Sequence, residues 1–228
     1  MDQVFLPSDA ELETALAALN AKIAANKETA AAHLSESLLK RTLWAKHNDI
    51  KSSESLLKAY AHWHATTLGN PSARLAVNHV HAFLLTNILQ VLPTTDKDGL
   101  PMVYMKPNKY LPNKIPWQHV VCALVYLLEY LTSTNEKAAK YGFTFMVWKL
   151  IKGMMSEDLA SKFQFTTSET VDSLVELKNL PTELGGQFVV PADGMATFVK
   201  DQYAREGLKY EEIDLNNHDW AKYRPIQL

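Results

Sequence analysis

The apolar positions of this chain change period several times, and each change marks an element. Alanines, glutamates and leucines spaced three and four apart predict a helix over 8–32. Ser8 with Glu11 three residues later forms a capping box at its start, satisfying backbone donors that a helix end leaves free. Helical spacing recurs over 34–46 and 53–66, with HNDIKSS as connector, and Gly69-Asn70-Pro71 closes this helical region. The run RLAVNHVHAFLLTNILQVLP (74–93), the tight-turn dipeptide Asp98-Gly99 and LPMVYMKP (100–107) then read as two paired strands.

PNKYLPNKIP is a proline-rich loop. After it, Trp117, Val120, Val121, Leu124, Val125, Leu128 and Leu131 fall on one face of a helix of about four turns. GFTFM (142–146) reads as a short buried strand. Directly behind it Val147, Leu150, Ile151, Met154, Met155 and Leu159 share a helical face, with Trp148, Lys149, Lys152 and Glu157 elsewhere on the helix. FQFTTS (163–168) is a last strand, SETVDSLVELKNL (168–180) a helix, and a short helix covers 196–205. Beyond it an irregular, polar tail offers Tyr210, Trp220 and Tyr223 for packing. Strands interleaved with helices behind an all-helical start predict an α/β fold with a mixed sheet and flanking helices. The organisation expected is a helical region 1–70, a lobe 71–190 and a tail 191–228.

Composition narrows the function. With 47% hydrophobic residues the chain buries a real core, and a net charge of −2 gives no overall pull toward nucleic acid, so no nucleic-acid partner is expected. Cys122, the only cysteine, lies in the apolar run VVCALVYLL and reads as a buried thiol. The start has no basic segment followed by an apolar one, and no apolar run reaches the ~20 residues of a membrane span. A cytoplasmic location is expected. Glycine-rich phosphate loops, nucleophile elbows and CxxC pairs are absent. His62 and His64 diverge if their segment is helical, His79 and His81 are ambiguous, and no third ligand accompanies either pair. The residues therefore point away from an enzyme, a metal or a cofactor.

Three stretches resemble the CRAL-TRIO lipid-binding family. TLWAKHNDIKSSESLLKAYAHW (42–63) resembles its N-terminal helical segment, with Trp44 and Lys46 where the family has arginines and Asn48 in place of a phenylalanine. DKDGLPMVYMKPNKY (96–110) resembles the opening hairpin of the lipid lobe. VWKLIKGMMSEDLASKFQF through NLPTELGGQF resembles the gate helix, the next strand and the closing LPxEYGG signature, with Leu184 replacing the aromatic. QHVVCALVYLLEY is also similar to the matching helix of the CRAL-TRIO region in a non-receptor tyrosine phosphatase. One departure stands out: where the family places a turn, a long helix and a strand between GFTFM and the gate helix, this chain runs straight on, a shortening of a few dozen residues that leaves a strand in need of cover.

The resemblance implies a lipid carrier at membrane surfaces. Its expected ligand is a phospholipid or similar molecule held in an apolar pocket under a mobile helix, with no other cofactor. Tyr104, Val147, Leu150, Ile151, Met154, Met155, Phe163 and Phe165 are the implied lipid contacts. Lys162 matches a lysine that meets the inositol phosphate in phosphatidylinositol-binding members, although Leu159 replaces the threonine found there. Lys149 and Lys152 suit anionic headgroups, and Lys46 has a weaker match. The other function class consistent with the shortened lobe is a non-catalytic interaction module, whose open strand is covered by a protein partner or a second copy. The glycine pair Gly185-Gly186 is expected to supply a positive φ or a close backbone approach.

Overall fold

The first helix starts at its predicted cap and stops well short of residue 32. In the computed structural model, which describes residues 8–26, 29, 34–68, 75–147 and 171–221, α1 spans Asp9–Ala25. The Ser8 hydroxyl accepts from the Glu11 N–H, and the Glu11 carboxylate accepts the Ser8 N–H at 2.8 Å. Asn26 ends the helix in extended backbone. Next come α2 (Glu36–Ala45) and α3 (Ile50–Leu68), separated by His47 and Asn48 in left-handed conformation. Leu12, Leu16 and Leu19 of α1 bury against Leu39 and Leu43 of α2 and Leu57 of α3.

The run 74–93 is not one strand. Its first half forms α4 (Val77–Leu85), burying Val77, Val80, His81, Phe83 and Leu84, and only the second half enters the sheet as β1 (Leu89–Thr95). A continuous apolar run fits a buried helix as well as a buried strand. Asn87, at φ 56°, breaks this one, because asparagine tolerates the left-handed region. β2 (Pro101–Met105) returns antiparallel to β1, α5 (Trp117–Thr134) and α6 (Glu136–Tyr141) follow, and β3 (Thr144–Val147) lies parallel to β2. Among the described residues the sheet order is β1-β2-β3. The mixed sheet and flanking helices agree with the α/β expectation.

Alternation on β2 separates two buried faces. Val103 and Met105 join the main core with α4, α5 and α7 (Gly194–Arg205), whereas Met102 and Tyr104 face the segment 171–190 together with Leu92 and Met146. That segment corrects a second expectation. Instead of a helix over 168–180, its described part has a 3-10 turn, Val171–Ser173, followed by further turns. One carbonyl that such a helix would use is taken elsewhere, Leu174 accepting from Lys97 N–H at 2.9 Å. The end of the segment is held by Leu177 accepting from Gln187 N–H at 2.7 Å and Leu180 from Phe188 N–H at 2.9 Å. Pairing with the hairpin and the following turn overrides a local helical pattern.

Asp96 ties the hairpin to β3. One oxygen accepts the Leu100 N–H at 2.7 Å and the other the Thr144 hydroxyl at 2.5 Å, with the residue 8% exposed. Asp96→Ala strands both donors, so it is expected to lower stability by roughly 1–3 kcal/mol, read as a shifted urea midpoint.

The tail packs through two of the aromatics expected to do so. Trp220 is buried, and Tyr210, Ile213 and Leu215 pack on the main core. His218 lies edge-on to Trp220, and His119 of α5 meets the same indole at 5.2 Å between ring centres. Tyr223 lies outside the described residues. Cys122 is fully buried, and burial pushes its thiol up to about 11, as suits a packing residue.

Candidate functional site

The second face of the sheet carries Tyr104, one of the expected lipid contacts. Its floor comes from alternate residues of three strands, Gln90 and Leu92 of β1, Met102 and Tyr104 of β2 and Met146 of β3, with Gln90 opposite Tyr104 and Tyr104 opposite Met146 in register. The segment 171–190 covers it with Val175 and Leu180 and, less deeply, Val171, Leu184 and Phe188. Gln90 is a buried polar residue on this floor. Its amide nitrogen donates to Asn87 at 3.0 Å, while its side-chain oxygen has no hydrogen-bond partner among the described residues.

The turn that shuts this face is LPTELGG. Phe188 pairs with Pro181 in a short parallel bridge, drawing residues 181–188 into a closed loop. Each glycine of the pair has its own task. Gly185 takes φ 88° to end the 3-10 turn Thr182–Leu184, and Gly186 sits so near Leu180 that an added Cβ would be 2.0 Å from its carbonyl oxygen.

Glu183 fastens the loop to the sheet. Its two oxygens accept the Tyr104 hydroxyl and the Lys106 ammonium, each at 2.8 Å, and the ammonium also lies 5.3 Å from the Tyr104 ring centre. The hydrogen bond from Lys106 holds the Glu183 carboxyl below its usual range, with the Tyr104 bond adding to it. Burial and then Glu183 push the Tyr104 phenol upward, so it stays a donor. The Lys106 side chain is 10% exposed and Glu183 51%, so an apolar floor meets solvent through one buried cation and one accessible anion.

Of the predicted contacts, Tyr104 stands on this floor. Val147 is the last residue of β3, paired with Met105, rather than the start of a helix, because the strand continues one residue past Met146. Leu150, Ile151, Met154, Met155, Lys162, Phe163 and Phe165 lie outside the described residues, as do the strand predicted over 163–168 and the rest of the helix behind Val147. Lys46 ends α2 in the turn before α3, away from the floor. Lys106 and Glu183 were not picked out as site residues, although Glu183 is the acidic position of the glycine-pair motif and was the available signal.

The histidine pairs separate as their helices require. His62 is exposed and His64 buried on α3; on α4 His79 accepts the Ala76 N–H at 3.0 Å, while His81 contacts Tyr203. No group of three metal-ligating side chains occurs among the described residues. A cavity of about 360 Å³ lies apart from the sheet floor, between α4, α5 and α7. Its Glu206 already accepts the Tyr126 hydroxyl at 2.7 Å and the Val77 N–H at 2.9 Å.

Comparison with known families matches residues 143–186 to the CRAL/TRIO domain. Over these residues the chain is similar to CRAL/TRIO domains. The matched stretch runs from the approach to β3 to the second glycine of the pair, so it includes Met146 of the floor and the closing loop with Glu183. CRAL/TRIO domains are associated with lipid binding and transfer, and that broad function is what the match supports. No curated protein matches the chain. No helix among the described residues is long and apolar enough to cross a membrane.

Proposed function

We propose that this protein binds a phospholipid-like molecule and carries it between membranes, with the acyl chains against Leu92, Met102, Tyr104 and Met146. The observation that carries the reading is the coincidence of the family match with a two-faced sheet whose second face is apolar. In this reading Leu150, Ile151, Met154, Met155, Phe163 and Phe165 complete the pocket, and Lys162 meets an anionic headgroup. The protein does no chemistry on its ligand. It works from the cytoplasm as a peripheral protein, lending apolar cover while the lipid is out of the bilayer, since burying the chains away from water is the dominant driving force.

One observation favours a second reading. Val175, Leu180 and Phe188 of the chain itself already pack on the floor, as they would in an interaction module that keeps the fold without a lipid.

Native mass spectrometry of the folded protein after incubation with a total lipid extract separates the two. An added mass at one-to-one stoichiometry supports the carrier and identifies the lipid class. A clean apo peak rejects it, and apo dimers favour the interaction module.

A further inference from the structure

The loop between β2 and α5 has a use that neither the core nor the sheet floor requires. Its sequence is PNKYLPNKIPW, from Pro107 to Trp117. Two backbone bonds to the Leu111 carbonyl, from Lys114 at 2.9 Å and Ile115 at 2.8 Å, fix its shape, and Pro107, Pro112 and Pro116 restrict it further. Ile115 anchors it, 5% exposed in the main core, with Tyr110 packing beside it.

The other large apolar residues point outward. Leu111 is 54% exposed and Trp117, the first residue of α5, 58%. Lys114 between them and Lys109 just before Leu111 are exposed. No acidic residue occurs between Asp98 and Glu129, so this segment is locally cationic in a chain whose net charge is −2. Glu183 is the acidic group that feels Lys109, and its carboxylate is engaged by Lys106 and Tyr104.

We propose that this loop is a membrane-docking surface, with Trp117 and Leu111 entering the interface of an anionic phospholipid bilayer while Lys109 and Lys114 meet its headgroups. An indole at the end of an exposed loop suits the interfacial zone, where its ring is apolar and its N–H finds water or phosphate. Lysines beside it add attraction that fades within a Debye length, so docking is reversible and salt-sensitive. Preset backbone lowers the ordering cost of insertion. Lipid carriage gives the docking its purpose, but the observations are those of the loop alone.

The test is co-sedimentation of the full chain with vesicles of pure phosphatidylcholine and of phosphatidylcholine mixed with phosphatidylserine. The wild type is expected to bind the anionic vesicles far better. Neutralising both lysines in Lys109→Gln/Lys114→Gln should weaken that binding about thirty-fold. Leu111→Ser/Trp117→Ser should weaken it at least tenfold, on the order of what lost apolar burial implies. All four side chains are exposed, so circular dichroism should be unchanged in both variants.

Equal binding to both vesicle types, no binding, or full binding by either double variant would overturn the proposal. So would binding to an acidic polypeptide in preference to anionic vesicles. Lipid loading, followed in parallel by native mass spectrometry, keeps the two readings apart. Docking without loading rejects the carrier and leaves the docking surface standing. Loading without docking does the reverse.

Discussion

Gly186→Ala is expected to cost at least ~3 kcal/mol of folding stability, the upper range for forcing atoms into a filled site. The new methyl would be 2.0 Å from the Leu180 carbonyl oxygen and 2.5 Å from the Leu180 carbonyl carbon, and both are backbone atoms that cannot rotate away. That carbonyl also accepts the Phe188 N–H, so pushing it aside breaks the bond that closes the loop. Gly185→Ala is the control. Its Cβ meets nothing within 4 Å, so its penalty is that of a left-handed alanine, about 1–2 kcal/mol. Urea titrations of the two variants should therefore give clearly different midpoints. Equal midpoints would mean that the close approach at Gly186 does not constrain the fold.

Acid should loosen the C-terminal tail, through His81 above all. This imidazole is 1% exposed, between Tyr203 of α7, whose hydroxyl is 3.1 Å from its Nδ1, and Tyr210 of the tail. Burial, then the neighbouring His218, lowers it to about 4 from an ordinary 6.5. His119 and His218 are shifted the same way by burial; the Trp220 carbonyl opposes the shift at His119 and Asp219 opposes it at His218. Lys200, over the Tyr210 ring at 5.4 Å, adds positive charge nearby.

The folded state therefore resists a proton that the unfolded chain accepts near pH 6.5. The stabilisation is present in full above pH 6.5 and is lost as the pH falls toward 4, by roughly 3 kcal/mol from His81 alone. Unfolding free energies at pH 7 and pH 4 should show this loss on top of the carboxylate titration. His81→Gln, neutral throughout, should remove it. If the wild type and His81→Gln lose stability in parallel, His81 does not control the acid response.

Much of the architecture could be read from residues whose environment is local. The capping box at Ser8, the hairpin around Asp98-Gly99 and the helical period of α5 all arise from interactions within a few positions, although α5 buries His119, Cys122, Ala123, Tyr126, Leu127 and Leu131 rather than the face its sequence predicts. The glycine pair was readable for the same reason, since both of its constraints act within six residues. Where the sequence misled, a distant partner decided. Residues 74–93 split because α4 has the main core to bury against while β1 has β2 to pair with. Residues 171–180 form turns instead of a helix, with the β1–β2 turn and the 181–188 loop bonding to their carbonyls.

The site was legible in outline through Tyr104 and the glycine-pair motif, but the pairing of Glu183 with Tyr104 and Lys106 joins residues 77 to 79 positions apart. No period or spacing announces such a contact. Nor does composition show that Trp220 is buried between His218 of the tail and His119 of α5.

By itself the sequence determined the elements with local periodicity, the absence of phosphate-loop, nucleophile-elbow and CxxC motifs, and a resemblance to the CRAL/TRIO family that the comparison matches over residues 143–186. Only the tertiary structure decided which face of the sheet the 171–190 segment covers, which carboxylate fastens that cover, and that Trp117 stays exposed. Those outcomes depend on competition among distant partners for the same backbone groups and the same apolar surface, and that competition is settled only when the chain is folded.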